Sequence, residues 1–230
     1  MIRATKTASP NGKSTTQADA HYQALVRRLE RTFGGSDVNG GDGSQRNAVG
    51  AIGITSSRRG EGVSTVAANL ALAAAEMSFG PVLLIDANLH HPSIARMFRL
   101  EDPGGAGGRG SRGFVDALGG DEIADLVEPT TVDNLSVMLL GGEGNALSLL
   151  NERLTIQRTI DELRTEYDWI IFDLPPATEL SECFALSGQL DSVIMVVQAD
   201  GPSRESVQRA CRELEIAGAN VLGAVLNKMK

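Results

Sequence analysis

The stretch Ala51-Ile-Gly-Ile-Thr-Ser-Ser-Arg-Arg-Gly-Glu-Gly-Val-Ser-Thr65 reads as a β-strand, a glycine-bearing turn and the start of an alanine-rich helix. A phosphate-binding loop needs that order of elements. Gly60 and Gly62 let the backbone turn its amide N–H groups toward an anion, and the following helix adds the positive end of its dipole. Ser64 falls where the hydroxyl of such a loop holds Mg²⁺, with Arg58, Glu61 and Thr65 as the remaining loop residues expected around a phosphate. Val63 stands where the lysine that bridges the β- and γ-phosphates is expected. Losing that ammonium removes charge-assisted contacts of roughly 1.5–3 kcal/mol each, and phosphoryl transfer suffers more than binding. The bland alternative is an ordinary glycine turn between strand and helix.

Two further segments bear on that choice. Val82-Leu-Leu-Ile-Asp86 and Trp169-Ile-Ile-Phe-Asp173 each end a buried apolar strand with a carboxylate, at the sheet edge where open α/β folds bind ligands. One such carboxylate is commonly a helix cap. Two converging on a phosphate loop, with Ser64, predict a Mg²⁺ and water-positioning set, because Mg²⁺ prefers hard oxygen ligands. Asn227, closing the run Val221 to Leu226, either reads an adenine edge or caps its strand.

Outward from these motifs, short apolar runs alternate with helical patterns. Val49 to Thr55, Val82 to Asp86, Leu135 to Leu140, Trp169 to Asp173, Ser192 to Gln198 and Val221 to Leu226 read as strands. Helices are expected at about Ser64 to Ser78, Ser148 to Glu166, Ser181 to Leu186 and Ser203 to Ala217. The pattern predicts a three-layer α/β sandwich with a mostly parallel sheet, of the P-loop NTPase kind, over residues 48–230. Residues 1–17 read as a disordered tail. Residues 18–33 read as an amphipathic helix with Tyr22, Leu25, Val26, Leu29 and Phe33 on one face. Residues 34–47, with five glycines, read as a flexible linker that leaves this helix apart from the main body, suited to docking on another surface. Pro103 to Gly113, with six glycines, is expected to be a mobile loop beside the ligand edge.

Composition narrows the function classes. With 230 residues, 42% of them hydrophobic, one core is expected; apolar runs such as Val193 to Val197 fall far short of a bilayer span of roughly 20 residues. A cytoplasmic protein is therefore expected. Cys183 and Cys211 lack the spacing of a disulfide framework or a zinc site. Adjacent His90 and His91 point apart in a loop and read as solvated. A net charge of −8 argues against nucleic acid as a partner.

The runs SSRRGEGVSTVAANLALAAAE, LLIDANLHHPS, YDWIIFDLPP and VLGAVLN together resemble the bacterial tyrosine kinase (BY-kinase) family, relatives of the MinD and ParA ATPases. The resemblance implies that the first run is Walker A, the second Walker A′ and the third Walker B. Gly60, Gly62, Ser64, Asp86 and Asp173 then become nucleotide and Mg²⁺ residues, with ATP or ADP and Mg²⁺ as cofactors. It further implies a cytoplasmic module held at the inner membrane by a polysaccharide co-polymerase. Three departures qualify the match: Val63 replaces the Walker A lysine, Asn88 replaces an aspartate of Walker A′, and the chain ends at Lys230 without the family's tyrosine cluster. The family's inter-protomer helix keeps its tyrosine and leucine here, as Tyr22 and Leu25, but not its charge pattern, which leaves homo-oligomerisation open. The expected function is a pseudokinase-like partner or regulator of exopolysaccharide polymerisation and export. Two alternatives stay open: an active ATPase or kinase using Arg58 or Arg59 for the missing lysine, and a MinD- or ParA-like positioning ATPase.

Overall fold

The computed structural model describes residues 2–3, 17–33, 50–77, 80–100, 112–142, 152–177 and 181–228. The expected linker at 34–47, most of the tail, residues 103–111 of the glycine-rich loop and the start of the Ser148 helix lie outside the described residues. Among those described, the strands are β1 (Ile2–Arg3), β2 (Gly50–Ser56), β3 (Val82–Asp86), β4 (Val127–Pro129), β5 (Leu135–Met138), β6 (Trp169–Asp173), β7 (Ser192–Gln198) and β8 (Val221–Asn227). They form one sheet in the order β1-β8-β7-β2-β6-β3-β5-β4, parallel throughout except where β4 meets β5.

The helices are α1 (Gln17–Phe33), α2 (Val63–Glu76), α3 (Ile94–Phe98), α4 (Phe114–Gly119), α5 (Arg153–Glu166), α6 (Ser181–Ser187) and α7 (Arg204–Ile216). Strand residues alternate between two apolar layers, as a period of two requires. Ile52, Ile54, Leu84, Trp169, Ile171 and Val196 face the layer of α1 and α2. Ala51, Leu83, Ile85, Phe172, Val193 and Met195 face that of α4, α5, α6 and α7. The expected three-layer α/β sandwich is the fold observed. No described helix is long and apolar enough to cross a membrane.

Helix α1 corrects one expectation. It does not stand apart: Tyr22, Leu25, Val26 and Leu29 are buried in the same core as α2, with Val26 fully enclosed. The reason lies in α2, whose alanines keep its outer side shallow enough for a second helix to approach closely. The Tyr22 hydroxyl bonds the Asn69 side chain of α2, and burial still raises its pKa. Elsewhere the expected helices and central strands appear within a few residues of their anticipated ends, whereas β1, β4, α3 and α4 were not anticipated. Ile2 and Arg3, placed in the tail by composition, pair with Val225 and Leu226 of β8.

Candidate functional site

Strand β2 lies between β6 and β7, so the loop that follows it opens at the middle of the sheet's C-terminal edge. Gly62 caps α2 in the left-handed region, at φ 96°, which a residue with a β-carbon rarely adopts. Gly60 has φ 83°. The conformation between them is held by Glu61, which is only 1% exposed. Its Oε2 accepts from the Ser57 hydroxyl at 2.9 Å and from the Arg58 amide at 3.0 Å. Its Oε1 accepts from the Gln198 amide of β7 at 3.1 Å. Glu61 therefore spends its charge on the loop's own donors. The sequence places it in the loop without showing this clamping role, which depends on partners far along the chain.

Strand β8 grips the same loop. The Asn227 side-chain amide donates to the Glu61 carbonyl at 2.9 Å, so this Nδ2 supports the loop backbone. Its neighbour Lys228 brings its ammonium onto the Gly60 carbonyl. Lys228 is absent from the residues the sequence points to, because no motif marks it. Arg58 and Arg59 are both exposed. Val63 is buried with the apolar core of α2, so the position expected to supply a cation faces hydrocarbon instead. Ser64 and Thr65 are half-buried in the first turn, and the Thr65 carbonyl accepts from the Asn69 amide at 2.8 Å.

On the other side of β2, Asp86 and Asp173 are register partners on adjacent parallel strands, and both are fully buried. Asp86 accepts backbone bonds from Asn88 at 3.1 Å, Ser93 at 2.8 Å and Ile94 at 3.0 Å, which caps the start of α3. Burial nonetheless lifts its pKa to about 6, against those three bonds. Asp173 is raised well above the usual carboxylate range, by burial first and by the charge of Asp86 second, while the Ser64 hydroxyl beside it favours ionisation. Neither Oδ atom of Asp173 meets a donor in hydrogen-bond geometry. A buried pair of carboxylates with two oxygens left over is costly unless a cation answers it. The donor set, hard oxygens with a hydroxyl nearby, fits Mg²⁺. His90 and His91, expected to be solvated, are exposed.

A cavity of about 780 Å³ opens at the ends of β7 and β8, lined by Val197, Gln198, Ala199, Val207 and Leu226 among others. Gln198 belongs both to this cavity and to the Glu61 clamp.

Residues 47–230 match the family described as ParA, NUBPL iron-transfer P-loop NTPase. The chain is 28% identical over 205 residues to tyrosine-protein kinase CpsD of Streptococcus agalactiae, covering 89% of this chain and 84% of that protein. It is 30% identical over 178 residues to tyrosine-protein kinase YwqD of Bacillus subtilis, covering 77% of this chain and 71% of that one. The solved kinase domain of VpsO superposes with a TM-score of 0.72 at 27% identity, over 92% of this chain and 96% of that one. MinD of Pyrococcus horikoshii, solved with Mg-ADP, shares the fold at a TM-score of 0.61 and 22% identity, over 77% of this chain and 69% of that one. The glycine loop, the paired strand-end aspartates and these similarities lead to one family: the chain belongs to the ParA-type P-loop NTPases, within the branch of the bacterial tyrosine-protein kinases.

Proposed function

We propose that the domain binds ATP or ADP with Mg²⁺ at the Gly60–Ser64 loop and acts as a kinase-derived regulator of an exopolysaccharide polymerisation and export complex. The reading is supported by one arrangement: a loop with left-handed Gly60 and Gly62 and a fully buried Asp173, neither Oδ of which meets a donor in hydrogen-bond geometry, lie beside a Val63 that carries no charge. Asp173, Asp86 and Ser64 would hold the metal, directly or through water; the metal supplies charge neutralisation for the phosphates. The backbone amides between Gly60 and Thr65 would bind the phosphates, aided by the N-terminus of α2. The cavity sharing Gln198 with the loop clamp has the apolar lining that suits a nucleobase.

Transfer is a different matter from binding. The γ-phosphoryl group needs a cation at its bridging oxygens, and Val63 offers methyl groups. The two tyrosines are also poor self-acceptors: Tyr22 is buried on the face of α1 that packs against α2, and Tyr167 is half-buried with its pKa raised by that burial. Arg58 and Arg59 run outward, which lends little support to either as a replacement for the lysine. Recruitment by an inner-membrane co-polymerase follows from the resemblance to BY-kinases and is part of the same proposal.

The test is a calorimetric titration of ATP and ADP, with and without Mg²⁺, on the wild type and Val63→Lys. Mg²⁺-dependent binding is expected in both proteins, with ATP gaining more than ADP from the restored lysine. Absence of binding, or ATP-driven tyrosine phosphorylation by the purified wild type, would overturn the proposal.

A further inference from the structure

We infer that Lys228 is the phosphate-contacting cation of this chain, reaching from the end of β8 a loop whose position 63 carries a valine. The inference rests on the nucleotide-binding reading above. Its observation is that the Lys228 ammonium sits on the Gly60 carbonyl, at the crown of the phosphate loop. One carbonyl occupies one of the three N–H donors of a lysine, and the other two stay available to an anion. Lys228 itself is exposed, with its backbone in the left-handed region at φ 52°.

Charge explains why a cation is needed there. The site gathers three buried carboxylates, Glu61, Asp86 and Asp173, while Val63 contributes none of the positive charge that would offset them. A nucleotide brings more negative charge to the same edge. Mg²⁺ at the aspartates would answer part of it, on the β6 and β3 side of the loop. On the β7 and β8 side the cavity wall carries both Arg204 and Asp200, and the Lys228 ammonium is the cation in contact with the loop itself. Asn227 fixes the start of the tether by binding the Glu61 carbonyl, so the lysine begins within reach of the loop.

Position also sets what Lys228 does not do. In the strand order β8-β7-β2-β6-β3, Lys228 follows β8 on one side of β2, and the aspartates end β6 and β3 on the other. It would hold phosphates nearer the base and leave the terminal phosphate to the aspartate side. Nucleotide is then retained without restoring transfer. This predicts that Lys228 supports ADP and ATP about equally, unlike a lysine returned to position 63.

The experiment measures Mg·ADP, Mg·ATP and adenosine binding by calorimetry for the wild type, Lys228→Gln, Lys228→Arg and Val63→Lys. Gln keeps a donor for the Gly60 carbonyl and loses the charge. Expected is a loss of about tenfold or more for both nucleotides in Lys228→Gln, recovery in Lys228→Arg, and no change for adenosine. If Lys228→Gln binds both nucleotides as the wild type does, Lys228 is only a loop clamp and the inference fails while the nucleotide reading stands. If the wild type binds no nucleotide, the nucleotide reading fails and Lys228 loses its ligand with it. If Lys228→Gln weakens ATP alone, the lysine acts at the terminal phosphate and the flank assignment is wrong.

Discussion

A β-carbon on Gly62 would collide with the side-chain amide nitrogen of Asn227, the same nitrogen that bonds the neighbouring Glu61 carbonyl. The glycine is thus required twice, once for its left-handed φ of 96° and once for the space that the last strand occupies. Gly62→Ala is expected to destabilise the domain by about 2 kcal/mol or more and to abolish nucleotide binding. Gly60→Ala is the control, since nothing lies within 4 Å of its added carbon and only the backbone strain remains. Urea denaturation and calorimetry on both variants decide it; equal damage from the two would remove the Asn227 contact as the cause.

The Asp86 and Asp173 pair predicts an unusual pH dependence. Asp86 titrates near 6 in the folded protein, above its value in an unfolded chain, and Asp173 is raised as well. The folded state therefore holds protons that the unfolded chain releases. The resulting stability is fully present below the unfolded carboxylate range and declines as pH rises from about 4 through the folded values of the pair. Metal-free protein should unfold at lower urea as pH is raised across this window, and Asp173→Asn should flatten the slope. Added Mg²⁺ should stabilise the protein more at pH 8 than at pH 5, because binding displaces protons. A flat profile for metal-free wild type would show that the pair is solvated.

Helix α1 carries a prediction about stability. Leu29 is 3% exposed against α2, so Leu29→Ala should cost about 2–5 kcal/mol, measured by chemical denaturation. A change below about 0.5 kcal/mol, the range of ordinary surface sites, would return α1 to the status of a detached helix.

What the sequence makes legible follows the physics of burial. Strands β2, β3, β6 and β7 are apolar runs covered on both faces, so the runs themselves mark them, and Asp86 and Asp173 stand out as charges at the ends of such runs. The stripe on α1 announces a buried face but does not say against what, because Tyr22, Leu25 and Leu29 would suit a partner as well as the alanines of α2. Strands β1 and β4 have two and three residues, too few for any period to show. Lys228 escapes notice because its contact is with a backbone carbonyl 168 positions away, and main-chain atoms leave no trace in composition. Glu61 is legible as a loop residue, whereas its role as the clamp depends on Ser57, Arg58 and Gln198 arriving together.

The grip of the last two strands on the loop makes completion of the loop a late event in folding. Glu61 waits for Gln198, 137 positions on, and for Asn227, 166 positions on, so the ring of contacts closes only when the C-terminal third has docked. Closing such distant pairs is slow compared with forming a local turn. A nascent or truncated chain that ends before β8 carries Gly60, Gly62, Ser64, Asp86 and Asp173 in its sequence and still lacks the Asn227 contact that supports the loop. Ligand bound to the finished loop in turn stabilises the whole sheet by mass action. If the loop binds nucleotide as proposed, a chain must be folded through Asn227 before the loop takes the form that would hold it.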